Sequence, residues 1–286
     1  MMRGMQNDFS RPLAVMAIVN RTPDSFYDKG KTFALDAAVA AGAAAFEAGA
    51  TIVDVGGVKF APGPAVAIED EIALVVPVVR ELALLGDVSV DTFHPAVARA
   101  AIEAGAAIIN DTTGLRDPQM ADVVADSEAR IVIAHSLATP RTQHPLPHYD
   151  DVTAEVGAFL RQRSDLALER GIPAERIIID PGHDLNKNTL QTLEITRRLD
   201  EIAAIGFPLL VALSNKDFIG EALGRERDQR VAGSLAAAVF CVLHGASIVR
   251  AHNVPETVDA LRMVESILGW RVPENLVHNM RADGND

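Results

Sequence analysis

Cysteine is almost missing from this 286-residue sequence, which has Cys241 alone. A single thiol cannot form a disulfide within the chain, and this argues against a disulfide-stabilised extracellular domain and favours a cytoplasmic location. Cys241 lies in the apolar run 236–243. We therefore expect it to be a core residue and not a nucleophile.

Long apolar runs and an excess of positive charge are missing too. No stretch approaches the roughly 20 apolar residues that span a bilayer, and the first 12 residues are polar, without an apolar signal region. The 39 acidic side chains outnumber the 26 basic ones, which gives a formal charge of −13. Such a chain has no general attraction for nucleic acid or for an acidic membrane. We expect neither partner, and an anionic ligand must be held by local groups.

Short apolar runs alternate with longer alanine-rich segments of helical periodicity. The runs lack apolar–polar alternation, as is typical of a parallel sheet covered on both faces. Eight such units predict one domain, 1–286, folded as a single (β/α)8 TIM barrel over about 13–270, with polar tails. An open doubly wound sheet is the alternative, but no GxGxxG motif follows the first run.

The predicted elements can be placed along the chain. The strands are 13–20, 51–56, 88–92, 107–111, 130–135, 177–180, 208–214 and 247–252. The helices are 35–48, 69–85, 95–104, 117–125, 152–170, 190–205, 227–244 and 255–268. Glycine stands where five of these helices should end, at 49, 105, 171, 206 and 245.

Every predicted strand ends in polar residues. They are Asn20, Asp54, Asp91, Asn110, His135, Asp180, Ser214, and Arg250 with His252. In a barrel these strand ends meet at one mouth, where active sites are built. The alternative is that they cap the following helices, and Asp91, four residues before Pro95, is a fair candidate for this. Capping explains Arg250 and His252 poorly, so we favour a shared site.

The residue types at this mouth suit a particular ligand chemistry. Asp91, Asn110 and Asp180 carry acceptors and donors on short stems, which suit the amino and lactam edges of a flat heterocycle. Lys216, Arg250 and His252 supply donors for an anionic leaving group such as pyrophosphate, and the Arg250 plane can also stack on a ring. Asn20, with Asp28 in the loop behind it, offers oxygen ligands for Mg²⁺. Asp28 is equally compatible with an ordinary turn.

The chain resembles the dihydropteroate synthase family over 13–270. The resemblance is carried by MAIVNRTPDSF (16–26), DVGG…PG (54–63), VDT (90–92), IINDTTG (108–114), AHSLATPRT (134–142), IIIDPG (177–182), PLLVALSNKDFIG (208–220) and GASIVRAHNV (245–254). Members displace pyrophosphate from a hydroxymethyl-dihydropterin diphosphate with p-aminobenzoate, a step of folate biosynthesis.

The resemblance implies the following roles. The pterin would be held by Asp91, Asn110, Asp180, Lys216 and Arg250, and the diphosphate by Asn20, Arg250 and His252. Asn20 would face Mg²⁺, a homodimer is expected, and sulfone or sulfonamide compounds are possible ligands. No residue is assigned a catalytic role.

Several loops depart from the family pattern. The Glu-Ser-Thr-Arg block of the second loop is replaced by Val58, Lys59, Phe60 and Ala61. The Ser-Arg-Lys-Ser of the seventh loop becomes Ser214-Asn215-Lys216-Asp217, and Asp217 would oppose the carboxylate of p-aminobenzoate. The Gly-Phe-Gly after Asp-Pro-Gly gives way to residues near His183, Asp184 and Asn186. Arg21, Tyr27, Lys29 and His94 are further departures.

These departures fall on the p-aminobenzoate half and spare the pterin half. The pattern is similar to the second, divergent and inactive synthase paralogue of mycobacteria and related actinobacteria. We expect a homologue that keeps the pterin pocket and has little or no synthase activity. The alternatives are an active synthase, a pterin transferase with another acceptor, and an interaction protein without catalysis. Corrinoid-linked methyltetrahydrofolate transferases share the barrel, but the Ser-Asn-Lys and Arg-Ala-His segments follow the synthase pattern.

Overall fold

Eight parallel strands form the centre of the molecule. In a computed structural model, which describes residues 13–21 and 34–279, they run in the order β6-β5-β4-β3-β2-β1-β8-β7. Their bounds are β1 Ala14–Asn20, β2 Ile52–Gly56, β3 Asp87–Asp91, β4 Ile108–Asp111, β5 Arg130–Ala134, β6 Ile177–Asp180, β7 Leu210–Ala212 and β8 Ile248–Ala251. The two outermost strands, β6 and β7, approach each other through a bridge between Ile179 and Leu209. The sheet thus closes into a single (β/α)8 TIM barrel, as predicted, and not into an open doubly wound sheet.

Helices surround this barrel. They are α1 Leu35–Glu47, α2 Ile68–Leu82, α3 Pro95–Glu103, α4 Gln119–Ala125, α5 Val152–Glu169, α6 Thr189–Arg197, α7 Leu199–Ala203, α8 Asp217–Leu223, α9 Val231–Leu243 and α10 Val254–Ile267. Of the described helices, none has the length and apolar character needed to cross a membrane.

The predicted strands and helices agree with the structure in number and place, with two differences. The predicted helix 190–205 is divided into α6 and α7 around Arg198, and a short helix, α8, follows β7 where none was predicted. Glycine does end the helices as expected, because the five glycines all have a positive φ: Gly49 97°, Gly105 109°, Gly171 92°, Gly206 102° and Gly245 103°.

The core has two layers. Inside the barrel, side chains that include Met16, Ile108, Ile178 and Leu210 form one buried cluster. A larger cluster fills the space between the outer face of the sheet and the helices, and Cys241 belongs to it. Burial raises the pKa of this thiol to about 12, so Cys241 is the core residue that its apolar surroundings predicted.

Candidate functional site

The polar strand ends lie at one level of the barrel mouth. Gly56 is paired with Asp91, and Asp91 with Asn110, in the registers of β2, β3 and β4. Among the described helices, side-chain caps come from Asp151 at α5 and Asn188 at α6, and not from the strand-end residues. For these helices the capping alternative therefore fails.

A buried ion cluster lies at the centre of the mouth. Arg250 donates from Nε to Asp54 Oδ2 at 2.6 Å and from Nη2 to Asp91 Oδ2 at 3.1 Å. Asn110 Nδ2 donates to the same Asp54 oxygen at 3.2 Å. Burial raises the pKa of Asp91 to about 7, against the opposing effect of Arg250. Asp54 has no exposed surface and is the anchor of this cluster. The sequence marked it as a strand end but assigned it no role.

The cavity above this cluster has a volume of about 410 Å³. Its wall contains Asn20, Asp91, Lys216, Arg250 and His252, together with Val58, Lys59, Phe60, Ala61, Asp184, Leu185 and Asp217. Most of the residues predicted for the site thus surround one space. Asn110, Asp180 and Asn215 are buried and do not line this cavity.

Asp180 and Lys216 form the side of the mouth next to the ion cluster. Asp180 Oδ1 accepts a hydrogen bond from the Gly182 amide at 2.7 Å, and burial raises its pKa while Lys216 opposes this. Lys216 donates from Nζ to the His183 carbonyl, and burial lowers its pKa. A buried acceptor, Asp180, and a half-buried donor, Lys216, therefore lie on this side of the mouth.

Lys187 was not predicted to have a role, yet it holds two strand ends together. Its Nζ lies 2.9 Å from both His135 Nδ1 and the Gly182 carbonyl oxygen. Burial lowers the pKa of Lys187 to about 7 and that of His135 to about 2. Because Lys187 lies in a loop without periodicity, no sequence pattern marked it as buried.

The seventh loop has a different geometry from the one expected. Asp217 does not direct its carboxylate at the cavity as an unpaired charge, because Arg230 Nη1 lies 2.8 Å from Asp217 Oδ1. The same nitrogen donates to the Asn215 carbonyl at 3.0 Å. Asn215 is buried with a φ of 58°, and its Nδ2 donates to Asn253 Oδ1 at 2.9 Å. Asp217 is therefore paired with Arg230 and is not the unpaired charge that was expected.

A different carboxylate, that of Asp184, covers the start of α8. Its Oδ2 accepts from the Asp217 amide at 2.7 Å and from the Phe218 amide at 3.4 Å. Asp184 and Asn186 adopt φ values of 63° and 51°. Glycine reaches such values without strain, in line with the glycines of the family loop at this place.

The second loop, residues 58–61, is tied to the loop after β5. Arg141 donates from Nε to the Pro64 carbonyl at 2.9 Å and from Nη1 to the Ala61 carbonyl at 3.2 Å. The rings of Phe60 and His144 lie 5.0 Å apart. These contacts hold an apolar wall, which includes Val58 and Phe60, over the outer part of the cavity.

Asn20 lies at the end of β1, where a metal ligand was predicted. Its Oδ1 packs against Gly56, at which a Cβ would lie 3.2 Å from that oxygen. Asp28, Tyr27 and Lys29 fall outside the described residues. Within residues 13–21 and 34–279, no group of three or more acidic, histidine or cysteine side chains could hold a metal ion. Asn20 would therefore offer a single oxygen, which suits an ion that takes its other ligands from water and phosphate.

Comparison with known proteins agrees with this geometry. Residues 16–252 match the family described as "Pterin binding enzyme". The chain is 42% identical over 285 residues to "Inactive dihydropteroate synthase 2" of Mycobacterium leprae (strain TN), covering 94% of this chain and 97% of the relative. It is 40% identical over 269 residues to "Dihydropteroate synthase" of Escherichia coli (strain K12), covering 93% and 95%.

Solved structures show the same similarity. A dihydropteroate synthase of Xanthomonas albilineans with 4-aminobenzoic acid is 43% identical, with a TM-score of 0.84 and coverage of 93% of this chain and 95% of that one. A Yersinia pestis dihydropteroate synthase in a sulfonamide drug complex is 37% identical, with a TM-score of 0.85 and coverage of 93% and 97%.

Proposed function

Since this chain belongs to the pterin binding enzyme family, we propose that the inner half of its mouth binds a pterin and that it has little or no dihydropteroate synthase activity. We define the inner half as Asp91, Asn110, Asp180, Lys216 and Arg250. We define the outer half as residues 58–61 with Asp184 and Asp217. The observation that carries the proposal is the contrast between an intact polar inner half and an outer half rebuilt from apolar and acidic residues.

The inner half offers what a pterin needs. Asp180 is a buried carboxylate beside Lys216, and it would accept hydrogen bonds from the amidine-like edge of the ring. Asn110 and Asp91 offer further polar groups, although Asn110 must turn from Asp54 to reach a ligand. The guanidinium group of Arg250 is fixed by hydrogen bonds to Asp54 and Asp91 and would stack on the face of the pterin ring.

A diphosphate would lie at the β1 and β8 side of the mouth. His252 Nδ1 lies 3.3 Å from Ser214 Oγ, which orients the imidazole ring. Together with Arg250 and Asn20 it would bind the phosphate oxygens. Mg²⁺ would neutralise diphosphate charge, and Asn20 would contribute one oxygen to it.

The outer half supports the low-activity part of the proposal. Val58, Phe60 and Ala61 offer no hydrogen-bonding side chain to an acceptor carboxylate, and Arg230 is already paired with Asp217. The similarity to a relative named as an inactive synthase points the same way. An active synthase is the second candidate, favoured by the similarity to the Escherichia coli enzyme. A pterin transferase with another acceptor is the third, and Lys59 in the cavity wall favours it.

One experiment separates these candidates. The purified protein is mixed with hydroxymethyl-dihydropterin diphosphate, p-aminobenzoate and Mg²⁺, and pyrophosphate release is followed beside the Escherichia coli enzyme. We expect calorimetric binding of the pterin diphosphate but turnover at least a hundredfold below that enzyme. Turnover near the Escherichia coli rate would establish the active-synthase alternative instead.

The pterin site is tested by substituting Asp180. Asp180→Asn should weaken binding of the pterin by about tenfold or more, because a hydrogen bond to a charged group contributes roughly 1.5–3 kcal/mol. Asp165→Asn changes an exposed carboxylate on α5 and should leave the affinity unchanged. Equal affinities of the two variants would argue against Asp180 as a pterin ligand.

Two further properties belong to the proposal. We infer a homodimer and a cytoplasmic location, the latter from the single cysteine. A Yersinia pestis relative is solved in a complex with a sulfonamide drug. Sulfonamides resemble p-aminobenzoate, so they would bind here only weakly, because the outer half offers few groups that suit p-aminobenzoate.

A further inference from the structure

We infer that Asp184 makes the outer half of the mouth selective for amines that are neutral at their far end, and that it excludes arylamines carrying a carboxylate. This inference rests on the proposed pterin site, because the amine is expected beside a bound pterin. The outer half would then accept amines whose far end carries a neutral group.

Asp184 is fixed in place by the backbone of α8. Its Oδ2 accepts from the amides of Asp217 and Phe218 at 2.7 and 3.4 Å. Its own amide lies 3.4 Å from Thr192 Oγ1, and its φ of 63° is one that glycine adopts more readily. Asp184 thus adopts a conformation that favours glycine, and in it the carboxylate accepts from two amides and lines the cavity.

Several donors at this end of the cavity already make hydrogen bonds within the chain. The amides of residues 217 and 218 serve Asp184, and Lys216 Nζ donates to the His183 carbonyl. Arg230 is held by Asp217 and by the Asn215 carbonyl. An incoming carboxylate would have to displace Asp184 to reach the two amides, and it would meet a like charge on the way.

The second loop gives the outer half an apolar wall with one positive charge, that of Lys59. Val58, Phe60 and Leu185 line the cavity with apolar surface. Lys59 is also in the wall and interacts with other parts of the chain. A neutral group that donates a hydrogen bond, such as a carboxamide, can bind to the free lone pairs of Asp184 without displacing it.

The test compares two ligands that differ only at the far end. 4-Aminobenzamide and 4-aminobenzoate have the same ring and amine, and each is titrated calorimetrically into the full-length protein with and without saturating 6-hydroxymethylpterin. For the unmodified protein we expect the amide to bind at least tenfold more tightly. Asp184→Asn should reduce this ratio to within about threefold. Asp184→Gly, which suits the positive φ, should invert it by freeing the two amides.

Matched variants separate Asp184 from its neighbours. Asp228→Asn removes an exposed carboxylate outside the cavity wall and should leave the ratio unchanged. If Asp217→Asn moves the ratio and Asp184→Asn does not, the inference is overturned. Tighter binding of 4-aminobenzoate that is lost in Lys59→Met would overturn it as well.

Failure of this inference can be told from failure of the proposed pterin site. Absence of binding by 6-hydroxymethylpterin refutes the pterin site, while the ratio measured without pterin still decides the role of Asp184. Pterin binding with equal affinities for the two amines, or with no binding of either, refutes the selectivity alone. Circular dichroism verifies that each variant is folded.

Discussion

Glu71 is a carboxyl group with no exposed surface beside the mouth. Its Oε2 lies 3.9 Å from His94 Nε2, beyond hydrogen-bonding distance. Burial raises the pKa of Glu71 to about 7, with a smaller opposing effect of Thr92. Burial also lowers the pKa of His94, which disfavours the charged form of the ring nearest to Glu71. Glu71 therefore contributes stability below its unfolded-state pKa and loses that contribution as the pH rises through 7.

Glu71→Gln should for this reason stabilise the protein at alkaline pH. The amide cannot ionise, so the free energy of unfolding at pH 8 should rise by roughly 1–3 kcal/mol, with a much smaller effect at pH 5. Urea denaturation at both pH values measures this. Glu69→Gln changes an exposed carboxylate in the first turn of the same helix and should show no such pH dependence. A loss of stability in Glu71→Gln at pH 8 would show that the charged form has a partner.

At the scale of single residues, the sequence located the polar strand ends but not how their side chains pair. Strand ends could be located from apolar runs, and Asp91 and Arg250 from two of them line one cavity. The pairing of Asp217 with Arg230 could not be predicted, because it depends on the short helix α8 and on loop geometry. Asp184 and Lys187 were missed as partners for the same reason: loops lack a periodicity that reveals burial.

At the scale of elements, glycine decides where several helices end. Gly206, between α7 and β7, has a φ of 102°, and a Cβ placed there would meet no atom within 4 Å. Gly206→Ala should therefore cost about 1–2 kcal/mol through backbone strain alone. Gly157 lies inside α5, where a Cβ would make ordinary contacts at 3.5 Å. Gly157→Ala should be neutral or stabilising by up to about 1 kcal/mol.

Chemical denaturation of the two alanine variants checks the sign of each change. Equal effects would mean that the positive φ of Gly206 carries no strain for alanine.

The positions of most helices and strands could be predicted because glycine and apolar periodicity are local signals in the sequence. The break between α6 and α7 was not predictable from such local signals. Arg198 at the break is held partly by Asp151, which is distant in sequence and lies 2.9 Å from it.

At the scale of the whole molecule, a closed barrel could be predicted because the sequence contains eight similar strand–helix units. Neither the sequence nor the count predicts how the last strands meet, and β6 and β7 share only the bridge of Ile179 with Leu209 among the described residues. Assembly is harder still to predict, since the outer face of a helix can be apolar for packing within the chain or between chains.

The exposed faces of α9 and α10 argue for a dimer. Phe240 and Leu243 on α9 are 37% and 56% exposed, and Met263 and Ile267 on α10 are 59% and 70% exposed. These two helices contact each other, and each carries exposed apolar side chains from which water would be expelled on association. We expect light scattering to give twice the monomer mass.

Ile267→Asp should shift that mass to the monomer, because it places a charge in the interface. Leu146→Asp alters a side chain that is 94% exposed in the loop before α5 and should leave the dimer intact. A monomer for the unmodified protein at micromolar concentration would refute the dimer. In that case the apolar surface of α9 and α10 would have to be explained by another partner.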